Sequence, residues 1–87
     1  MSASISQIIN ELSKINAMVE SSIAALSGQR AEVSKAIQYV QNTFANSESG
    51  KQISAAIFGI AGHINSAEGM LNQLRHDIDI HVKNLQK

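Results

Sequence analysis

The second half of this chain places apolar side chains at alternating spacings of four and three residues. The positions are Ile53, Ile57, Ile60, Ile64, Ala67, Leu71, Leu74, Ile78, His81 and Leu85, of which only His81 is polar. A 3.5-residue repeat puts these positions on one stripe of a helix and favours a left-handed supercoil against a partner helix. The first half repeats apolar residues every seven positions, at Ile5, Leu12, Val19, Leu26, Val33 and Val40. The sequence therefore predicts two long helices that pack along these stripes.

The ends of the helices carry capping signals. Ser4 with Gln7 has the spacing of a capping box, and so does Ser49 with Gln52. Residues 45–50 form a cluster of turn-forming residues, and the chain contains 0 prolines that would break a helix. We therefore predict an all-α fold in one domain, 1–87. It is a coiled-coil-like antiparallel two-helix hairpin, with helix one at about 4–44, a turn at 45–50 and helix two at about 50–86.

Gly28 lies inside the first predicted helix, where glycine costs about 1 kcal/mol relative to alanine. Folding the hairpin about Ser47 places Gly28 opposite Ser66, near Ala67 and Gly69. Small residues that face each other predict a narrow waist where the two backbones approach closely. The alternative is an interruption of helix one at Gly28.

A second set of apolar residues flanks the two stripes. A two-helix hairpin buries only one stripe per helix, and an apolar surface wider than that is typical of a helix in a bundle. We therefore predict that association completes a four-helix bundle, as a homodimer or a heterodimer. The alternative is that these residues only shield the edges of the hairpin. The partner-binding residues that we predict are Ile9, Ile23, Ile37, Phe44, Phe58 and Met70.

Composition argues against several classes of function. Seven basic and seven acidic residues are scattered along the chain, which also has 1 Tyr, 2 Phe and 0 Trp. We therefore expect no nucleic-acid binding, because neither a basic stripe nor a stacking platform is present. Nor do we expect membrane binding, since interfacial helices favour basic faces with aromatic anchors. The N-terminal residues do not resemble an ordinary secretory signal peptide, so we expect synthesis in the cytoplasm and any secretion to proceed without a cleaved signal.

The histidines and serines do not form a predicted catalytic or metal site. His76 and His81 are five residues apart, whereas zinc-binding pairs on a helix are three or four apart. The serines cluster where helix capping accounts for them. We expect no enzyme activity, no cofactor and no metal. His81 differs because it occupies a core position of the repeat. A polar core residue sets register, and histidine changes charge near physiological pH, so we predict a register-setting or pH-sensitive position.

A helical hairpin of 87 residues with a turn at its midpoint resembles the small Trp-x-Gly family of type VII secretion. It is most similar to the divergent helical proteins encoded beside LXG toxins. In this resemblance Phe44 stands for the tryptophan and Gly50 for the glycine, at a longer spacing. The family's Tyr-x-x-x-Asp/Glu export motif is absent, because the residue four positions after Tyr39 is Thr43 rather than an acidic residue.

The resemblance implies a targeting partner that is secreted with a toxin, or prepares it for secretion, by packing on its helical N-terminal region. Apolar anchors at spacings of three and four residues would supply the affinity. The alternative function is a self-assembling structural subunit that forms a homo-oligomer or a filament.

Overall fold

Two helices make up the described part of the computed structural model, which comprises residues 4–44 and 46–87. Helix α1 spans Ile5–Phe44 and helix α2 spans Glu48–Leu85. They pack antiparallel in a rod with extents of 63 × 21 × 14 Å. The prediction of an all-α two-helix hairpin is confirmed, and α1 continues through Gly28 without interruption.

Local hydrogen bonds explain where the helices begin. The Ser4 backbone N–H donates to Gln7 Oε1 at 2.9 Å, and the Gln7 N–H donates to Ser4 Oγ at 3.2 Å. This is the predicted capping box. Helix α2 begins two residues earlier than predicted, because Ser47 rather than Ser49 is its N-cap and accepts from the Gly50 N–H at 2.9 Å. Ser47 Oγ also donates to the Phe44 carbonyl, which joins the two helix ends.

The buried residues follow a heptad repeat that we count from Ile5 in α1 and from Gly50 in α2, taking each as position a. Every residue buried in either helix lies at position a. These residues are Val19, Val40, Gly50, Ile64 and Ile78. The second row that faces the partner helix is position e, because most of its residues are half-buried. On α1 these are Ile9, Asn16, Ile23 and Ile37, and on α2 they are Ser54, Ala61, Glu68, Arg75 and Val82.

This arrangement corrects the sequence prediction for helix two, which placed positions a and d in the interface. Ile53, Ile60 and Leu74, all at position d, are exposed. The physical reason lies on α1, where position e carries the polar residues Asn16 and Arg30. Their partners are polar residues at positions b and e of α2, so α2 turns this side toward α1.

The predicted narrow waist is wrong. A Cβ atom placed on Gly28 or on Gly69 would have no neighbour within 4 Å, because both residues point away from the other helix. The close approach occurs at Gly50 instead. A Cβ atom there would overlap the Phe44 carbonyl group and lie 2.8 Å from the Phe44 Cβ. Gly50 is therefore the glycine that the turn requires.

These surroundings predict opposite effects for two alanine substitutions. Gly50→Ala should lower the free energy of unfolding by at least about 1 kcal/mol, because the turn must open to admit a methyl group. Gly28→Ala should raise it by about 0.5–1 kcal/mol, because alanine favours an exposed helix position that is open. Urea denaturation followed by circular dichroism, at one protein concentration, measures both. Equal effects at the two positions would contradict this account of the turn.

Candidate functional site

The side of α2 that faces away from the polar contacts carries a row of exposed apolar residues. Ile53, Ile60 and Leu74 occupy position d, with relative exposures of 45%, 51% and 43%. Between them lies Ala67, which is half-buried, and His81 ends the row. We call the row from Ile53 to His81 the d row of α2. The row is apolar from Ile53 to Leu74, and α1 leaves Ile53, Ile60 and Leu74 exposed.

Helix α1 adds apolar residues to the same face of the hairpin near its N-terminal end, whereas farther along the helix its position d carries Ser22, Gln29, Ala36 and Thr43. Its position d includes Ile8, which is half-buried, and Ile15, which is exposed, and Met18 lies beside them at position g. Both helices turn positions a and e toward each other, so position d lies at the same angle from the interface in each helix. In an antiparallel pair this places the position d residues of both helices on the same face of the hairpin. Gln7, Ile8, Glu11 and Leu12 line a surface groove where this face reaches the free end of α1. We call this side of the hairpin, including the d row of α2, the apolar face.

The side-chain polar contacts between the described parts of the two helices lie on the opposite face. Asn16 Nδ2 donates to Asp79 Oδ1 at 2.9 Å. Arg75 Nη1 lies 3.8 Å from Glu20 Oε1. These residues occupy positions b and e, which turn to the side away from position d. One face of the hairpin therefore carries the polar contacts between the helices, and the opposite face carries the d row of α2.

Arg30 and Glu68 form the ion pair nearest the middle of the interface. Arg30 Nη2 lies 3.2 Å from Glu68 Oε2, and the Glu68 side chain is only 14% exposed whereas that of Arg30 is 48% exposed. Glu68 Oε1 and Asn16 Oδ1 are buried without a hydrogen-bond partner. Polar side chains in such positions contribute more to alignment than to stability, because partners that are out of register leave them unpaired.

The sequence analysis missed these register-setting residues. The signal was present, because position e of α1 alternates between isoleucine and polar residues from Ile9 to Ile37, with Asn16 and Arg30 between the isoleucines. A seven-residue repeat read only at position a does not separate position d from position e. The polar partners on α2 identify which of the two rows faces inward.

The structure places the predicted partner-binding residues in three different environments. Ile9, Ile23 and Ile37 are half-buried at position e, which faces α2, so the hairpin itself already uses part of their surface. Met70 is 69% exposed at position g, beside the d row of α2. A contact of these residues with a partner stays a prediction.

Phe44 and Phe58 lie near the turn and are exposed. Phe58 is at position b, on the face with the polar contacts. It lines a surface groove together with Gln41, Gly50, Lys51, Ser54 and Ala55. The predicted partner-binding residues therefore do not form one continuous surface.

His81 is exposed, and Val82 takes the half-buried position next to it. His81 therefore lies on the apolar face rather than between α1 and α2. A role in register or in pH sensitivity stays a prediction, and it would now concern contacts outside the hairpin.

Residues 4–44 and 46–87 offer neither a metal-binding cluster nor a membrane-spanning helix. That part of the chain contains no group of three or more His, Asp or Glu residues that could hold a metal ion. Neither described helix is long and apolar enough to cross a membrane. Comparison of the chain with protein-family models, curated proteins and solved structures found no match.

The interior polar pair can be tested with a double-mutant cycle. Glu68→Met alone should lower the free energy of unfolding by about 1 kcal/mol, because it leaves the Arg30 guanidinium without its carboxylate. Arg30→Met/Glu68→Met should be at least as stable as the wild type, since apolar replacements of buried ion pairs are commonly neutral or stabilising. Thermal denaturation followed by circular dichroism measures each variant. Additive losses in the double variant would contradict this prediction.

Proposed function

We propose that this chain is a non-enzymatic helical interaction protein whose apolar face packs on another helical hairpin and completes a four-helix bundle. The observation that carries the proposal is the choice of interface within α2. The row turned toward α1 includes Ser54, Glu68 and Arg75, whereas the exposed d row carries Ile53, Ile60 and Leu74. The more apolar row is thus available to a partner.

The amount of exposed surface supports the same proposal. The hairpin has a solvent-accessible area of 6294 Å². A compact monomer of its mass, 9.3 kDa, would expose about 5,000 Å². The excess of about 1,300 Å² is larger than the roughly 800 Å² that each partner contributes to a stable interface of standard size. A second pair of helices on the apolar face would reduce this excess.

The partner that we propose is the helical N-terminal region of a type VII secretion toxin of the LXG class. The support is the resemblance of the hairpin to the helical proteins encoded beside such toxins, together with the exposed apolar row. In this role the chain is a targeting factor. It supplies half of a four-helix bundle, and the toxin supplies the other half and any export signal.

A self-assembling structural subunit is the second candidate. A filament requires two different complementary surfaces on each copy. The groove beside Phe58 supplies a second exposed apolar site, on the face opposite the d row of α2. We rank this function lower, because Phe58 stands among polar residues such as Gln41, Lys51 and Ser54. A helical partner that covers the apolar face requires one surface only.

Two substitutions at similar exposure test the proposed surface. Leu74 is 43% exposed on the apolar face, and Ile80 is 45% exposed on the outer side of the same helix. Leu74→Glu should weaken binding of the toxin's N-terminal region at least about tenfold, because the complex would bury an unpaired carboxylate. Ile80→Glu should leave binding within about twofold, since this side chain points away from the proposed contact.

The experiment co-expresses each variant with the helical N-terminal region of an LXG toxin. Titration of the purified components gives the dissociation constants, and circular dichroism checks that each variant keeps its helicity. Equal weakening by the two substitutions would contradict the proposed surface. Absence of binding by the wild type would contradict the proposed partner.

A further inference from the structure

We infer that α2 has a second packing on α1, reached by rotating about its own axis by about 50°, in which α1 covers the d row of α2. In the open packing, which is the one described above, positions a and e of α2 face α1 and the d row is exposed. In the closed packing, positions a and d face α1 and position e moves to the edge of the interface. The rotation itself is independent of the proposed function, whereas its role in controlling partner binding rests on that function.

The two rows that meet in the closed packing match along their length. Because Arg30 lies beside Glu68, it is level with the preceding residue, Ala67. Steps of seven residues, taken in opposite directions along the antiparallel helices, pair the rest of position e of α1 with the d row. The pairs are Phe44 with Ile53, Ile37 with Ile60, Ile23 with Leu74, and Asn16 with His81. Apolar residues thus lie level with apolar residues, and the polar residues of α1 lie level with the smallest residue of the row and its only polar one.

The open packing leaves polar groups incompletely paired and apolar groups exposed. The Glu68 side chain is only 14% exposed, and its Oε1 atom is buried without a hydrogen-bond partner. Ile53, Ile60 and Leu74 remain exposed at the same time. Rotation to the closed packing would move Glu68 to the edge of the interface, where water can hydrogen-bond to it, and would bury the three aliphatic side chains. Both effects favour the closed packing.

Three polar contacts between the helices favour the open packing instead. They join Arg30 with Glu68, Asn16 with Asp79, and Glu20 with Arg75. On α2 these residues occupy positions b and e, which both turn away from α1 when the d row turns toward it. The rotation therefore separates all three pairs, and the polar contacts keep the d row exposed.

The residues at position a do not oppose the rotation, because they lie between the helices in both packings. Position a of α2 lies about 20° from the centre of the interface in the open packing and about 30° to the other side of it in the closed packing. No side chain in the described part of the chain is fully buried, so no fully enclosed side chain has to be extracted. The balance between the two packings therefore depends on positions d and e.

This balance would control the proposed function. A helical partner can bind the d row only in the open packing, so its apparent affinity falls in proportion to the fraction of the chain in that packing. Arg30 and Glu68 would thus set the affinity for a partner that neither of them contacts.

Cysteine labelling measures the rotation, because the chain contains 0 cysteines. Ile60→Cys places a thiol in the exposed d row, and Ala61→Cys places one at the half-buried position e beside it. Each reporter is made in the wild-type chain and in Arg30→Met, which leaves the Glu68 carboxylate without its partner. The rate of labelling by a maleimide at position 60, divided by the rate at position 61, should fall at least about threefold in Arg30→Met as the closed packing gains population.

Controls separate a rotation from a general loosening of the hairpin. Ser66→Cys lies at position c, which points away from α1 in both packings, so its labelling rate should stay within about twofold. Arg30→Met/Glu68→Met removes the buried carboxylate as well, and it should return the ratio toward the wild-type value. Circular dichroism checks the helicity of every variant. Asp79→Ala, which removes the acceptor of Asn16, is a milder second variant and should shift the ratio in the same direction.

Two results would overturn the rotation. One is a ratio that Arg30→Met and Asp79→Ala leave unchanged while helicity is retained. The other is faster labelling at positions 60, 61 and 66 together, which indicates loosening.

Titration with the toxin region tests the control of partner binding. Arg30→Met should weaken this binding by the factor by which it lowers the population of the open packing, at least about threefold. A shifted labelling ratio with unchanged binding would overturn this control and leave the rotation standing. Failure of the wild-type chain to bind the toxin region would contradict the proposed partner but not the rotation, because labelling measures the rotation without any partner.

Discussion

The hairpin depends on the contact between the position a residues of its two helices. Val19, Val40, Ile64 and Ile78 are the buried apolar residues, and no side chain in the described part of the chain is fully buried. A large share of the apolar side-chain surface thus stays in water. The contact suffices to align the helices, but much of the free energy that apolar burial could supply is left for association.

The rotation of α2 about its axis determines which of its apolar residues α1 leaves exposed. Turning positions a and e toward α1, instead of a and d, rotates α2 by about 50°, at about 100° per residue. Arg30 and Asn16 on α1 favour this rotation because Glu68 and Asp79 then lie within reach. With the other rotation Arg30 would face the d row near Ala67 and Asn16 would face it near His81, and both would lose these partners. The rotation of α2 about its axis therefore explains both the polar pairs and the exposed d row.

The sequence allowed prediction of features that local interactions determine. The helix type and the approximate ends of both helices follow from a 3.5-residue repeat, from the Ser4–Gln7 capping box and from the absence of proline. The choice between Ser47 and Ser49 as N-cap was missed, because it depends on the Phe44 carbonyl at the end of α1. The choice between positions d and e was missed for the same kind of reason. Residues on the other helix decide it, and they are distant in sequence.

The division between interior and exposed rows also bears on how specific a partner must be. The d row of α2 is aliphatic from Ile53 to Leu74, and aliphatic contacts alone discriminate poorly among helical partners of similar shape. Specificity would then come from the rims, where His81, Glu11 and Asp77 lie at or near the ends of the apolar face. Complementary polar or charged groups at these rims would therefore distinguish one helical partner from another.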